Sequence, residues 1–378
     1  MIDYHALLQA AKNAESTYLQ LLERLVRFET PSAQKPASDA LATFLEQTLT
    51  ERNWEVVRHA RETVGDIIEA RIGNGLGPRT LLLTHYDTVW PSGTIETMPF
   101  KREGDLVYGP GVLDMKSGIT AAILAPGLLG DANGHLRGEV TLLVTSDEEI
   151  GSNESRELIE ELARKHDRVL VMEMAREDGA LKIGRKGVGD IDARFRGISA
   201  HAGNNPSAGA SALRELAHFL LFVEDLTDDV AGTTVNLTVA SGGFARNVIA
   251  DEARAEIDIR VLKRAEEKRI MSALRSYTPR DSRVEVELTG GLNRPPMEAN
   301  ERNNELFEEA QDILSEFGLS YEGAVVGGGS DGNFTSAIGV ATLDGLGSVG
   351  IGPHARNEHI NLPLSLERLA LVAALIGE

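Results

Sequence analysis

The segment 140–151 constrains the fold more than any other part of the chain. It reads Val-Thr-Leu-Leu-Val-Thr-Ser-Asp-Glu-Glu-Ile-Gly, so an apolar, β-branched run leads directly into three acids and a glycine. Such a run is typical of a strand that is buried on both faces. Three carboxylates at the end of a buried strand are costly unless a positive charge faces them. Because open α/β sheets bind ligands at the carboxyl ends of their strands, the segment predicts a binding site rather than a solvated acidic loop.

Length, charge and composition narrow the classes of protein to consider. A chain of 378 residues is too long for one ordinary core and predicts two domains. The absence of cysteine excludes disulfides, thiol nucleophiles and thiolate metal sites, and it fits a cytoplasmic location. A net charge of −20 argues against nucleic acid or an anionic membrane as a partner. No apolar run approaches the roughly 18 residues of a membrane span, and the first ten residues do not resemble a signal peptide.

Strand and helix patterns divide the chain into three segments. Strands and helices alternate up to about residue 186, with helical apolar spacing over residues 4–29 and strands at about 79–84 and 139–145. This alternation predicts an α/β fold, with a mostly parallel sheet and helices on both faces. Between residues 187 and 293 the order changes to β-α-β-β-α-β, with the first helix over roughly residues 207–225, and this order fits a ferredoxin-like α+β module. Strand–helix alternation returns after Asn293-Arg294-Pro295-Pro296. The sequence therefore predicts a larger α/β domain of residues 1–186 and 294–378, interrupted by a smaller inserted domain of residues 187–293.

Potential metal ligands follow several of the predicted strands and turns. They are His85, Asp87, Asp114, Glu148, Glu149, Glu173 and His354. Histidine and carboxylate ligands without thiolates favour catalytic zinc, or manganese or cobalt. So many acids suggest two metals that share a bridging carboxylate.

Each of these residues also has a structural interpretation when it is taken alone. His85 could be a hydrogen-bonded structural histidine, Asp114 a helix cap and Glu173 a surface acid. Their common position at one sheet edge favours the metal site. His354 is preferred to the nearby His359 because it follows a Gly-x-Gly-Pro turn.

Five motifs of the chain resemble those of one enzyme family. They are His85-Tyr86-Asp87-Thr88-Val89, Gly109 through Asp114-Met115-Lys116, Glu148-Glu149, Ser199-Ala200-His201-Ala202-Gly203, and His354 ahead of Asn357-Glu358. The family is that of the di-zinc exopeptidases and deacylases, which holds bacterial glutamate carboxypeptidase, acetylornithine deacetylase and succinyl-diaminopimelate desuccinylase. The resemblance covers essentially the whole chain, and the segments 185–187, 247–249 and 258–260 look most like the glutamate carboxypeptidase branch. Met174 and Ser117 depart from the usual proline and glycine, but neither change removes a ligand.

The resemblance implies a role for each candidate residue of the metal site. Asp114 would bridge two divalent ions per subunit, expected to be zinc, with cobalt or manganese as alternatives. His85 and Glu173 would bind one ion, and Glu149 and His354 the other. Asp87 would fix the tautomer of His85. Glu148 would be the general base for a water that the two ions share and acidify.

The resemblance also implies roles for residues of the insert and its surroundings. His201 would reach the active site of the partner subunit in a homodimer formed through the inserted domain, and would steady the oxyanion there. Asn247, Arg260, Arg294 and Gly329 correspond to substrate-contacting positions. An arginine suits a substrate carboxylate because its guanidinium binds bidentately. Surface arginines and a flexible glycine loop are the structural alternatives.

These implications point to a metal-dependent hydrolase that cuts an amide bond next to a free carboxylate in a small-molecule substrate. The leading interpretation is a glutamate-type carboxypeptidase that releases a C-terminal amino acid. A second is an N-acyl-amino-acid deacylase, such as one that acts on acetylornithine, with the same ligands and mechanism. A third is a non-catalytic binding protein on the same fold. Such a protein would usually lack Glu148 or a metal ligand, and none is missing here.

Overall fold

The structure is a computed structural model that describes residues 2–73, 75 and 77–378. Its described residues form two compact units. Unit 1 comprises Met1–Gly184, Ala299–Val325 and Ser330–Glu378, and unit 2 comprises Arg185–Glu298 and Val326–Gly329. The predicted insert, residues 187–293, lies within unit 2, which extends further at both ends and includes the short piece near residue 327.

The described part of the chain forms helices and strands with the following bounds. The helices are α1 Tyr4–Asn13, α2 Glu15–Arg27, α3 Lys35–Thr50, α4 Thr94–Thr97, α5 Ser117–Leu128, α6 Arg156–Arg164, α7 Ala212–Glu224, α8 Arg264–Ser276, α9 Glu301–Glu316, α10 Gly332–Ala337 and α11 Leu362–Ile376. The strands are β1 Glu55–His59, β2 Ile67–Gly73, β3 Arg79–His85, β4 Lys101–Glu103, β5 Leu106–Tyr108, β6 Glu139–Thr145, β7 Arg168–Val171, β8 Leu181–Arg185, β9 Gly187–Arg196, β10 Thr234–Gly242, β11 Glu252–Val261, β12 Glu285–Arg294, β13 Gly323–Val326, β14 Ala341–Leu343, β15 Gly350–Ile351 and β16 His359–Asn361.

The main sheet of unit 1 has the strand order β1-β2-β6-β3-β7-β14. Strands β6, β3, β7 and β14 run parallel, whereas β1 and β2 add an antiparallel edge, so the sheet is mixed. The central strands β3 and β6 are buried along nearly their whole length, as their apolar sequences predict. Leu82 and Leu142 face a core that includes α5 and α11, while Leu81 and Leu143 face a second core that includes α6. The predicted α/β class with helices on both faces is confirmed.

One expectation about hydropathy was wrong. The helical stretch Val112–Ala132 is long and apolar enough to cross a membrane by length and composition, with a mean hydropathy of 1.4. However, 83% of its apolar 18-residue window is buried inside the fold, where α5 packs against α11. A helix that is apolar all round is expected at the centre of a large core. The stretch is therefore weak evidence for a membrane span.

Unit 2 has an antiparallel sheet with the strand order β10-β11-β9-β12. The order of its elements, β9-α7-β10-β11-α8-β12, is the predicted β-α-β-β-α-β order. Alternate residues of β9 and β11 are buried, and they share one core with α7 and α8. Both helices therefore cover the same face of this sheet, and the other face carries the polar residues.

Candidate metal centre

Three adjacent parallel strands of unit 1 bring several of the predicted metal ligands to one edge of the sheet. His85 is the last residue of β3, and Glu173 follows β7 by two residues. Glu148 and Glu149 lie in a short 3-10 turn, Glu148–Ile150, after β6. Because β6, β3 and β7 are neighbours, their carboxyl ends meet.

His85 forms one half of the cluster. Its Nε2 atom lies 3.2 Å from Oδ1 of Asp114 and 3.2 Å from Oε1 of Glu173. Potential ligand atoms of His85, Glu148 and Glu173 also lie within 4.8 Å of one another. The His85 side chain is only 2% exposed, so this half of the cluster is deeply buried.

His354 forms the other half. Its Nε2 atom lies 3.2 Å from Oδ2 of Asp114 and 3.2 Å from Oε2 of Glu149. The residue adopts a left-handed backbone conformation, with φ of 60°, in the turn that presents its ring. Asp114 thus directs one carboxylate oxygen to each histidine, which is the arrangement expected of a bridging ligand.

The pKa of each group in the cluster depends on burial and on the neighbouring charges. Burial would raise the pKa of Asp114, but hydrogen bonds with His354 and His85 lower it well below its usual range. Burial raises the pKa of Glu149 to about 7. Hydrogen bonds to Asp114 and Glu149 raise the pKa of His354 to about 10. Burial alone would lower the pKa of His85, yet its bonds to Asp114, Asp87 and Glu173 raise it. The carboxylates therefore need positive charge among them.

The donor set fits divalent metal ions. Oε1 of Glu149 is buried and has no hydrogen-bond partner among the described residues, so one carboxylate oxygen is available for a ligand. The groups His85/Glu148/Glu173 and His85/Asp114/Glu149 each bring three potential ligand atoms within 4.8 Å. Imidazole nitrogens and carboxylate oxygens without thiolates suit zinc, cobalt or manganese.

Asp87 lies behind the cluster and is fully buried. Its Oδ2 atom accepts hydrogen bonds from Ser32 Oγ at 2.6 Å and from Glu149 N at 3.2 Å. Its Oδ1 atom accepts from Glu148 N at 3.2 Å and faces His85 Nδ1 at 3.3 Å. The backbone oxygen of Asp87 also lies 3.1 Å from the same ring nitrogen. With Nδ1 as a donor, His85 directs the Nε2 lone pair to the cluster.

In unit 2, the structure places His201 and Asn247 in neighbouring loops. Ala202 N donates to Asn247 O at 2.9 Å, and His201 forms an isolated β-bridge with Val248. The exposed His201 ring accepts hydrogen bonds at Nδ1 from Gly203 N at 3.1 Å and from Asn204 N at 3.0 Å. Its Nε2 atom therefore carries the hydrogen of the neutral ring and is a donor.

Unit 2 also brings Arg260, Arg294 and Gly329 together. Arg260 on β11 and Arg294 on β12 both pair in register with Val188 of the intervening strand β9, so they share one row of the open sheet face. A Cβ atom on Gly329 would lie 2.8 Å from Cδ of Arg294, so this glycine allows close packing on the arginine. The guanidinium of Arg260 forms an ion pair with the Asp258 carboxylate at 2.7 Å. Arg294 is buried, with only 5% of its surface exposed.

Comparison with known proteins decides the family. The model of peptidase family M20/M25/M40 matches residues 81–378. The chain belongs to this family. It is therefore a hydrolytic enzyme of the M20 metallopeptidases, which confirms the resemblance inferred from its motifs.

Two relatives and two solved structures illustrate the range of the M20 family. Carboxypeptidase G2 from Pseudomonas sp. (strain RS-16) is 31% identical over 380 residues, which cover 98% of this chain and 91% of the relative. Succinyl-diaminopimelate desuccinylase from Thioalkalivibrio sulfidiphilus is 30% identical over 76% of this chain and 80% of its own. A tripeptidase from Staphylococcus aureus has a similar fold, with a TM-score of 0.82, 22% identity and coverage of 96% and 97%. A dinuclear metal-binding M20 peptidase from Bacillus subtilis has a TM-score of 0.68, 15% identity and coverage of 97% and 98%.

Sequence reasoning missed three residues that support the centre of this M20 enzyme. Ser32 donates to Asp87, as described above. Trp90 Nε1 donates at 2.9 Å to the buried carboxylate of Glu358, which also accepts from the backbone near Asp114. Glu358 belongs to a recognised motif, but the motif alone did not indicate its contacts. Ser32 and Trp90 carried no recognisable signal.

Proposed function

We propose that this M20 enzyme hydrolyses an amide bond next to a free carboxylate and releases a C-terminal amino acid, as a glutamate-type carboxypeptidase does. The observation that carries the proposal is the position of Asp114 between two histidines, with Glu148 beside the cluster. Similarity to carboxypeptidase G2 over nearly the whole chain supports the class of reaction.

The residues of the centre would have separate roles in metal binding, proton transfer and positioning. His85, Asp114 and Glu173 would hold one divalent ion, and Asp114, Glu149 and His354 the other, with zinc as our expectation. When bound, the ions would supply Lewis acidity to the amide carbonyl and acidify a water. Glu148 would accept a proton from that water on its carboxylate and deliver it to the leaving nitrogen. Asp87 would hold both the His85 ring and the Glu148–Glu149 turn in place.

Unit 2 would supply the groups that recognise the substrate. Arg260 and Arg294 share one row of its sheet, and an arginine pair suits a substrate carboxylate because each guanidinium can bind it bidentately. In a chain with net charge −20, such placed arginines are the expected means of attracting an anion. His201 would donate its Nε2 hydrogen to the oxyanion, and Asn247 would contact the substrate from the neighbouring loop.

A deacylase remains the second candidate because succinyl-diaminopimelate desuccinylase is 30% identical over most of the chain. The deciding experiment is a release assay with zinc- or cobalt-loaded protein. Its substrates are α- and γ-glutamyl conjugates and N-acyl amino acids. Preferred release of glutamate from the conjugates supports the carboxypeptidase, whereas preference for short acyl groups supports the deacylase.

The Glu148→Gln variant is the matched control for this assay, since it removes the proton acceptor and keeps the shape of the side chain. We expect kcat to fall by about 10²–10⁴-fold while metal is retained. No release from any substrate by metal-loaded wild-type protein would refute the proposed function. A Glu148→Gln variant that keeps most of its kcat would exclude Glu148 as the base.

We also propose that the enzyme is a homodimer formed through unit 2. Strand β10 is an edge of the sheet, and exposed apolar side chains lie on or near it and on α7, with Val239 49%, Leu213 41%, Leu221 57% and Phe244 78% exposed. Exposed apolar side chains beside an edge strand suit pairing across a two-fold axis.

Complementation tests whether His201 acts on the partner's site. Inactive His201→Ala and Glu148→Gln chains should regain activity when mixed, because one site of the heterodimer then has an intact base and an intact partner histidine. If subunits exchange and no activity returns, His201 serves its own chain or is structural.

A further inference from the structure

The turn that carries Asp114, Val112–Lys116, is a single π-type turn with an irregular backbone. Asp114 and Met115 have non-helical backbone angles, and Gly111 has φ of 70°. Within this turn, Val112 N donates to Gly109 O at 3.2 Å and Lys116 N donates to Gly111 O at 3.1 Å. The N–H groups of Gly111, Leu113 and Asp114 instead point to one side chain.

That side chain is Glu358, which is fully buried. Its Oε1 atom accepts from Leu113 N at 2.9 Å and from Asp114 N at 3.1 Å. Its Oε2 atom accepts from Gly111 N at 2.9 Å and from Trp90 Nε1 at 2.9 Å. A single carboxylate therefore satisfies N–H groups at the start of this helical segment, where a helix has no backbone acceptors of its own to offer.

The position of Glu358 also links two distant parts of the cluster. It lies four residues after His354 and directly before β16, and β16 pairs with β5 just ahead of the Asp114 turn. Glu358 thus joins the segment of His354 to the backbone of Asp114, whose carboxylate contacts both histidines of the cluster.

We propose that Glu358 is a positioning residue that fixes Asp114 so that one carboxylate oxygen faces His85 and the other faces His354, the arrangement in which Asp114 would hold the metal ions. It does not touch the cluster's ligand atoms itself but holds the backbone from which Asp114 extends. This inference rests on the two-metal site of the proposed function and adds a residue to which the family comparison assigns no role.

The Glu358→Gln variant tests the inference because an amide has only one acceptor oxygen. Its NH₂ group would face two of the four donors, and neither a backbone N–H nor an indole N–H can turn to accept. We expect the affinity for Co²⁺, measured by chelator competition, to fall by about 10–100-fold, as for other residues that orient metal ligands. The visible absorption of bound Co²⁺ should change as well, because the Asp114 carboxylate would shift relative to the two histidines.

Glu215→Gln is the matched control. Glu215 is also a buried carboxylate, 1% exposed, and accepts from Arg280 N at 3.0 Å, from Asp281 N at 3.3 Å and from Tyr277 Oη at 2.5 Å within unit 2. This variant should lower the melting temperature of the metal-free protein and leave Co²⁺ affinity and spectrum unchanged.

The outcomes separate this inference from the proposed function. Wild-type protein that binds no Co²⁺ would overturn both. Wild-type protein that binds two ions, together with a Glu358→Gln variant of equal affinity and spectrum, would overturn the role of Glu358 alone. If Glu358→Gln does not fold, Glu358→Asp provides the test, since it keeps the charge but withdraws the carboxylate by one methylene. Unchanged Co²⁺ affinity in that variant would also overturn the role.

Discussion

Replacing Asp87 with asparagine is the most informative single change to the surroundings of the centre. The Asp87 carboxylate receives four donors, two on each oxygen, from Ser32, His85 and the backbone of Glu148 and Glu149. Asparagine has nearly the same shape but offers only one acceptor oxygen. The change therefore perturbs hydrogen bonding without creating a cavity or removing a metal ligand.

The contacts of Asp87 indicate which orientation the asparagine amide will adopt and how much free energy the lost hydrogen bond will cost. If its NH₂ group takes the place of Oδ2, the Ser32 hydroxyl can turn and accept from it, so only Glu149 N loses its partner. The opposite orientation would leave the Glu148 backbone N–H without its acceptor and set the NH₂ group against the His85 ring. The first orientation leaves one buried donor unsatisfied, which costs about 1–3 kcal/mol. Because the backbone oxygen of Asp87 also faces His85 Nδ1, the histidine keeps an acceptor.

The penalty falls on the turn that carries Glu148 and Glu149. We expect Asp87→Asn to weaken metal affinity by about 10–100-fold and to lower kcat under metal saturation. Chelator competition and steady-state kinetics measure the two effects. Asp66→Asn is the control, since Asp66 is another largely buried carboxylate, and it accepts from Lys35 Nζ, Arg58 Nε and Arg61 N rather than from the centre. Unchanged metal affinity and kcat in Asp87→Asn would refute the reasoning.

Three further predictions follow from the structure. Exhaustive chelation should abolish activity, and zinc or cobalt should restore it at two ions per chain; metal content that stays near zero on reloading, with no gain in activity, contradicts the two-metal site. Arg260→Ala should cost carboxylate substrates about 1.5–3 kcal/mol in kcat/KM, and an equal loss on an amidated analogue would assign the arginine another role. Burial would raise the pKa of Asp66, but hydrogen bonds from Lys35 and others lower it to about 2. Its folded pKa is thus below the unfolded value of about 4, so its stabilisation is complete above pH 4 and is lost as the pH falls towards 2. Chemical unfolding should show that wild type loses about 1–2 kcal/mol more than Asp66→Asn between pH 5 and pH 2, and equal losses would exclude this contribution.

The sequence was most informative where local pattern and burial agree. The strands predicted at residues 79–84 and 139–145 match β3 and β6 within one residue, because continuous apolar runs of that length suit the centre of a sheet. The acids that follow β6 could be assigned to a site from the sequence alone, because a carboxylate directly after a buried strand is costly unless a positive charge or a ligand faces it. The antiparallel direction of β1 and β2 was not visible, because pairing direction depends on distant partners rather than on local pattern.

Helix boundaries differed where capping overrides periodicity. A helix was predicted from about residue 207, but Pro206–Ala208 forms a 3-10 turn and α7 begins only after Ser211, whose side chain accepts from Arg214 N. The helical pattern predicted for residues 4–29 is divided at Ala14 into α1 and α2. Both cases show that apolar spacing indicates the buried face of a helix better than its ends.

The supporting residues of the centre were beyond the reach of sequence patterns. Glu358 meets the turn of Asp114 across more than 240 positions of the chain, and Ser32 meets Asp87 across 55. A glutamate or a serine in isolation is usually a surface residue, and only the fold shows that each is buried among donors or acceptors. Candidate ligands at strand ends can therefore be predicted from local sequence, whereas the residues that orient these ligands cannot.

The wide separation of the candidate ligands along the chain would make metal supply a determinant of how long the enzyme survives. His85 and His354 belong to segments that come together only in the folded state, so bound ions would act as cross-links that the unfolded chain cannot form. Occupancy at a hundredfold excess over Kd would add about 2.7 kcal/mol per independent site to the free energy of unfolding. In a metal-poor cell the unfolded fraction would rise accordingly, and proteases would remove the empty enzyme faster than the loaded one. The abundance of the protein would then follow the metal content of the cell, in addition to its activity.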